Sequence, residues 1–414
     1  MTTANAAVAG LGFLGSGLLL PSGLDAAAFA AASLFLAAFQ CLQEVMGRSL
    51  NWALLRLHPV AARERDGGGD QMLATAWALQ RRLIAAGCVV AAALAAAAHW
   101  LIDQPGEPSR ALVLGIATLA AMFGVLLQFE LGVLQLRERF LALSSWMVAN
   151  SAARLFAWTM LWALGLLSLA TAIAAHIVTA AAIALSVRRA AGPLPALLPG
   201  ADAANDRARL LHFGGRMVLA TALASTAAQV DLFLLDARAD DVTTGRLRIA
   251  VLFATVLELA TSAVMTALLP QAGRAHDAAA RRAMLRHSAR WGLAVASLAL
   301  LSLPVVTFAL PRLLPHYASA VDLYPIVLLG VVLTALTDPL GLTFISRDRP
   351  GRFIVLNALL LLVVVLGNLF VEGDDRAQVT AWVRTAGRAT LALGIVLLVL
   401  RDRGESRATA DATC

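Results

Sequence analysis

The 414-residue sequence contains no lysine: every one of its 33 basic residues is an arginine. A phosphate-binding loop of the G-x-x-x-x-G-K-[ST] kind needs that lysine on the β- and γ-phosphates, so an ATPase of its own is excluded. A Schiff-base lysine is excluded with it. Charge is scarce as well, at 14% of residues against about 25% in soluble domains. Cys41, Cys88 and Cys414 are too few and too far apart for a disulfide framework. The seven histidines form no cluster, and neither a Cys/His zinc spacing nor H-E-x-x-H occurs. There are only two tyrosines.

What fills the chain instead is apolar: 60% hydrophobic residues and a mean hydropathy of +0.77. That composition excludes an ordinary soluble enzyme and predicts an all-α integral membrane protein. One crossing takes about 20 apolar residues, so twelve take about 240 and leave short connections with no separate soluble domain. Twelve runs can be picked out. The first six are Ala4–Leu20, Ala27–Leu55, Leu83–Ile102, Leu112–Leu134, Leu141–Leu164 and Leu166–Val187. The other six are Leu210–Leu235, Ile249–Leu269, Trp291–Leu310, Leu323–Ile345, Phe353–Val371 and Thr380–Leu400. The first run has no basic residues before it and reads as a spanning helix, not a cleaved leader. The fifth and sixth nearly merge, with the turn placed at Gly165. A stretch from Arg188 to Arg209 with Pro193, Pro195 and Pro199 reads as a linker, which divides the chain into residues 1–200 and 201–414.

The arginines give an orientation. With the N-terminus in the cytoplasm, 23 of the 33 fall on cytoplasmic connections or the helix ends beside them. Seven fall on the outer side, among them Arg246, Arg248 and Arg384, and three stay inside helices. This bias fits twelve crossings with both termini inside. It also accounts for the net charge of +7 without nucleic acid as a partner. Glu44 and Glu258 lie 214 positions apart, and Ala53-Leu54-Leu55 matches Ala267-Leu268-Leu269 at the same offset. The reading is two homologous six-helix halves in one orientation.

A charge at membrane depth costs roughly 2.5–3.5 kcal/mol on insertion scales, so each one marks a candidate site. Arg154 is central in the fifth run. Asn150 and Ser151 precede it by four and three residues, which places all three on one face of a helix. A buried arginine can bind a phosphate through two parallel hydrogen bonds, or pair with a glutamate on another helix; the pattern leaves both open. Arg216 and Arg388 lie one to two turns inside their helices, where a long side chain can also snorkel to the headgroups. Glu258 is too deep and too short to snorkel, and reads as a proton or sodium site or as the counter-ion of an arginine. Glu44 is its repeat mate. Glu130 and Asp231 lie nearer helix ends, where capping is the plainer role. Asp338-Pro339 is expected to interrupt the tenth helix, because proline removes a backbone donor.

Several segments together resemble a known family. Gln229-Val230-Asp231-Leu232-Phe233-Leu234-Leu235 resembles its aspartate followed by apolar residues. Thr244 to Ala250 resembles its "G-x-Y-x-x-A" step into helix 8, and Ala267-Leu268-Leu269-Pro270 its helix-closing proline. His316 to Ala320 resembles its step into helix 10, and Gly351 to Asn357 the opening of helix 11. The family is the Wzx-type polysaccharide (O-antigen or exopolysaccharide) flippases of the multidrug/oligosaccharidyl-lipid/polysaccharide exporter superfamily.

The resemblance implies a MATE-like carrier of the bacterial cytoplasmic (inner) membrane. It would turn undecaprenyl-pyrophosphate-linked oligosaccharide from the inner to the outer leaflet by alternating access, for lipopolysaccharide or exopolysaccharide biosynthesis. The bilayer and polysaccharide polymerase machinery would be its partners. Arg154, Asn150, Arg216 and Arg388 would then hold substrate. Glu258, Glu44, Asp231, Glu130 and Asp338 would be candidates for proton or sodium coupling, with no other cofactor or metal. Four readings compete, one of them a purely structural membrane scaffold, which gives no reason for a deep Glu258 and Arg154. A cation-coupled multidrug or metabolite exporter of the same superfamily should have an acidic or aromatic cavity. A major-facilitator carrier should show a G-x-x-x-D-R-x-G-R-like loop, which the stretch from Arg56 to Arg65 lacks. A membrane glycan polymerase or ligase needs a larger outer loop than any here.

Overall fold

A computed structural model describes residues 2–100, 110–196, 201–274, 278–346, 350–371 and 375–411. Ile102, Pro199 and Cys414 lie outside the described residues. Among the described residues there are helices and no strand. This is what lipid demands, since a helix satisfies its own backbone donors and acceptors where no water can.

Each of the twelve runs has its helix. The chain begins with α1 (Thr2–Phe13), a π-helical segment over Leu14–Leu19, and the short α2 (Leu20–Gly23). The second run is α3 (Ala26–Gln43) continued by α4 (Ser49–Glu64), with a π-helical segment at Glu44–Arg48 between them. Then follow α5 (Gly68–Trp100), α6 (Arg110–Leu136), α7 (Phe140–Ala163) and α8 (Leu169–Ala191). The second half has α9 (Ala201–Asp236), α10 (Asp241–Arg274), α11 (Ala278–Leu313), α12 (Tyr324–Ser346), α13 (Pro350–Leu369) and α14 (Arg376–Asp411). Seven described helices are long and apolar enough to cross a membrane, and eight when a bent pair counts as one span.

Local sequence explains the punctuation. The turn between α7 and α8 falls at Gly165, whose φ of 67° is left-handed and open to glycine at no steric cost. Ser168 then opens α8 with a capping box: its hydroxyl accepts from the Thr171 N–H, while the Ser168 N–H donates to the Thr171 hydroxyl. Asp25 opens α3 in the same way, its Oδ1 accepting from Ala28 N at 2.7 Å.

One expectation needs correction. Asp338-Pro339 does not interrupt its helix, because α12 continues through Pro339. The break in that span lies earlier, between a 3-10 segment at Pro315–Val321 and α12, where the axis bends by 55°. Pro315 sits at the start of the 3-10 segment, where a missing backbone donor matters least.

The chain divides into two compact units: residues 19–229, and residues 2–18 together with 230–414. The sequence places the division at 200/201 instead. Residues 201–229 group with the first unit because the start of α9 is tied to the end of α4. Arg65 pairs with Asp206 at 2.6 Å and Asp202 at 3.0 Å, Arg209 pairs with Glu64 at 2.6 Å, and Leu210 joins the first unit's core. In the second unit α1 packs on α10, with Phe13 edge-on to Phe253 at 4.8 Å.

The first unit's core gathers Leu50, Leu54, Met72, Phe129, Leu134 and Leu210 with small residues such as Ala53, Ala76 and Ala184. Small residues matter here because lipid gives helices no hydrophobic reason to associate, so close packing must hold them together. Large apolar side chains such as Val89, Leu141, Phe156 and Phe308 point outward. That inversion suits a bilayer.

Candidate functional site

The first unit places a cation beside an aromatic cage. Asn150, Ser151 and Arg154 share one face of α7, as their spacing predicts. Arg154 makes no ion pair or hydrogen bond among the described residues. Its guanidinium lies 5.9 Å from the centre of the Trp158 ring, one turn further along α7. Trp158 is fixed in place, since its Nε1 donates to the carbonyl of Ala172 on α8 at 2.9 Å. One turn beyond Ala172 comes His176, only 1% exposed. Its ring lies roughly parallel to Trp158 at 6.1 Å, edge-on to Phe39 at 4.5 Å and edge-on to Phe35 at 5.3 Å. Neither imidazole nitrogen has a hydrogen-bond partner among the described residues.

The unit's other named charges are engaged or peripheral. Glu130, fully buried on α6, faces Arg188 of α8 at 3.2 Å, and Arg188 in turn lies over Trp77. Glu44 pairs with Arg48 one turn along its own helix at 2.8 Å, with both side chains 41% exposed. Arg216 is exposed on α9.

The second unit holds a ladder of ion pairs. Arg384 and Arg388 stand one turn apart on α14. Arg384, 4% exposed, donates to Asp231 Oδ2 of α9 at 2.6 Å. The other oxygen of Asp231 accepts from the Leu232 N–H at 2.9 Å, so both oxygens are in use. Arg388 pairs with Glu258 of α10. Asp338 of α12 stands within the electrostatic reach of Arg388 and Glu258, but makes no hydrogen bond or ion pair among the described residues. Arg248 of α10 is also buried, close enough to sense Arg384 and Asp231. Three arginines thus face three carboxylates, and the formal charges cancel.

The structure adds burial to two arginines that the sequence places on the outer side: Arg384 and Arg248 are both buried within the protein. The signal was present: Arg384 and Arg388 have the i,i+4 spacing of a helix face, and Asp231 opens the apolar end of α9. His176 had no such signal, because Phe35, Phe39 and Trp158 come from two other helices.

Arg388 reaches Glu258 by crossing α12 at Gly330. A Cβ added there would lie 2.8 Å from Arg388 Cδ and 3.3 Å from Thr385 Oγ1. Thr385 cannot easily yield, as its hydroxyl donates to the Ile326 carbonyl at 2.7 Å. Gly330→Val is therefore expected to dislodge Arg388 and to cost roughly 1–3 kcal/mol. Thermal unfolding of the detergent-purified protein checks this. An unchanged midpoint would mean that the ladder does not depend on that crossing.

No family model and no curated protein matches the chain. Solved structures do. A structure of the lipid II flippase MurJ in an inward closed conformation aligns with a TM-score of 0.71 at 12% identity, over 96% of this chain and 86% of that one. A MOP superfamily transporter from Pyrococcus furiosus, reported with a binding pocket of reverse polarity, gives 0.68 at 15% identity over 97% and 93%. An inward-facing multidrug resistance MATE family transporter of the MOP superfamily gives 0.68 at 15% identity over 98% and 96%. At such identities the likeness concerns the fold. The chain is an all-α membrane protein with the fold shared by MATE transporters and the lipid II flippase.

Proposed function

We propose that the chain is a transporter of the MOP superfamily, and within it a flippase for a polyprenyl-pyrophosphate-linked oligosaccharide. The observation that carries this reading is Arg154: a membrane-depth arginine with no counter-ion among the described residues, in a fold that a lipid II flippase also has. An unpaired guanidinium in a low-dielectric interior is costly, and a pyrophosphate offers the oxygens that would compensate it. Asn150 and Ser151 on the same face supply further polar contacts for the glycan or phosphate. Arg388 is held by Glu258 and Arg216 is exposed, so neither is as well suited to the anion as Arg154.

Coupling to a proton or sodium ion we assign to Asp338. Asp231, Glu258 and Glu130 have arginines against them, and Glu44 is half exposed and paired with its own neighbour. Among the described residues, Asp338 is the carboxylate at membrane depth that this leaves without a direct partner. The bacterial inner membrane is the location this reading requires. The alternative is export of a drug or metabolite, which the likeness to MATE transporters supports at nearly the same TM-score.

The test is depletion of the protein in cells, followed by extraction and mass spectrometry of lipid-linked glycans. An impermeant glycan-modifying reagent reports the leaflet. Single repeat units should build up, shielded on the cytoplasmic side. No build-up would sink the glycan reading and leave the exporter.

A further inference from the structure

We propose that Arg154 and His176 form a proton-linked oxyanion site, in which a phosphate or pyrophosphate bound at Arg154 is accompanied by uptake of one proton at His176. This rests on the reading of Arg154 as the anion-binding residue, and adds a second residue and a proton to it.

Three features of the first unit carry the inference. The first is the shared plate: Trp158, pinned to the Ala172 carbonyl, has Arg154 against its ring and His176 nearly parallel to it. The two groups are close enough for their charges to act on each other. The second is that His176 is buried with both ring nitrogens unpartnered, which is costly for a polar group. A phenyl ring would fill the same space without that cost, so packing alone does not explain an imidazole. The third is the lining of the cage. Phe35, Phe39 and Trp158 are aromatic on three sides, and aromatic faces attract a cation.

The electrostatics then follow from a short inventory. The helices packed on α8 around His176 are α3, α6 and α7. On α3 the one titratable group is Cys41, two residues past Phe39. On α6 they are Arg110 and Glu130, and Glu130 is engaged with Arg188, about three turns along α8 from His176. On α7 there is Arg154 alone, and on α8 itself Arg188 and Arg189 at the far end. Among the described residues of these helices no carboxylate is free to balance two cations. With the site empty, a proton on His176 would face the Arg154 charge directly. With an oxyanion on Arg154 that repulsion is cancelled, and a proton from solvent can join the free nitrogen lone pair of the imidazole. The filled site then holds guanidinium, anion and imidazolium. By linkage, the anion binds more tightly as pH falls towards the range in which the imidazole of the filled site takes up its proton.

Titration calorimetry on the full-length protein in detergent tests this with farnesyl pyrophosphate as the probe. Binding heats in two buffers of different ionisation enthalpy count the protons taken up per ligand. The ligand's own protonation is common to all variants, so the difference between wild type and His176→Gln isolates the histidine. Wild type should take up to about one proton more, and its affinity should fall with rising pH by up to about tenfold per unit more than the variant's. His176→Asn repeats the test should His176→Gln fold poorly. A measurement on the unmodified histidine stands beside them: ligand at pH 6 should quench the fluorescence of wild type but not of Trp158→Phe, through an imidazolium stacked on the indole. Equal proton counts in wild type and variants, with Arg154→Ala unable to bind, would overturn the proposal alone. Full binding by Arg154→Ala, or no binding by wild type, would overturn the reading beneath it as well.

Discussion

Asp231→Ala should be among the most damaging single substitutions in the protein. It removes a carboxylate bonded to Arg384 at 2.6 Å, taking its negative charge away from a nearly fully buried guanidinium that has a second buried arginine, Arg248, close by. Breaking one side of a buried ion pair costs about 3–5 kcal/mol, most of it the penalty for the charge left behind. The melting midpoint of the purified protein should drop by roughly 3–6 °C. Removing both charges tests the cause. Asp231→Asn with Arg384→Gln should recover much of the loss, since neither charge is then stranded. If the double variant is as unstable as Asp231→Ala, then the site needs Arg384 for packing and not for charge. If Asp231→Ala melts with wild type, the pair contributes nothing to stability.

How much of this was legible beforehand depends on distance along the chain. Helices could be read because their signal is local: each apolar run is long enough to cross a bilayer, and Gly165 marks the one tight turn where two runs nearly merge. The stripe Asn150, Ser151, Arg154 was legible for the same reason, since 3.6-residue periodicity puts those positions on one face. Partnerships were not. Asp231 meets Arg384 from 153 positions away, and nothing in either neighbourhood names the other. Glu258 was read as an ion site or as a counter-ion, and the sequence could not choose, because the choice depends on α12 letting Arg388 pass at Gly330. The bend near Pro315 was misplaced to Pro339 for a related reason. A proline within a long apolar helix is tolerated when neighbours hold the helix together, whereas the chain at residues 314–323 has little regular helix to preserve.

The two units differ in how their charges are balanced, and this separates scaffold from site. Among the described residues of the second unit, the buried arginines Arg248, Arg384 and Arg388 each stand near a carboxylate, so the ladder is balanced in formal charge. Such a ladder holds helices together and has little positive charge left with which to grip an anion, though Asp338 stays open to a coupling ion. In the first unit Glu130 and Arg188 close on each other, while Arg154 stays open. An open charge at membrane depth is destabilising unless something arrives to meet it.

Arg154→Ala should therefore lose function without losing stability. The substitution removes an uncompensated charge, so the melting midpoint should stay level or rise, in contrast to Asp231→Ala. Binding of a polyprenyl-pyrophosphate should weaken by about 100-fold or more, the equivalent of two charge-assisted hydrogen bonds. Cells dependent on the variant should accumulate lipid-linked repeat units as depleted cells do. Arg154→Lys restores the charge but not the planar fork, and should recover only part of the binding. The pair of readouts discriminates among the roles left open for this residue. A lowered midpoint with lost transport would make Arg154 a structural cation with a partner in some other conformation. Normal transport would remove it from the site altogether. A level midpoint with lost transport is the result expected of a binding residue, because only a binding residue can be costly to the empty protein and indispensable to the loaded one.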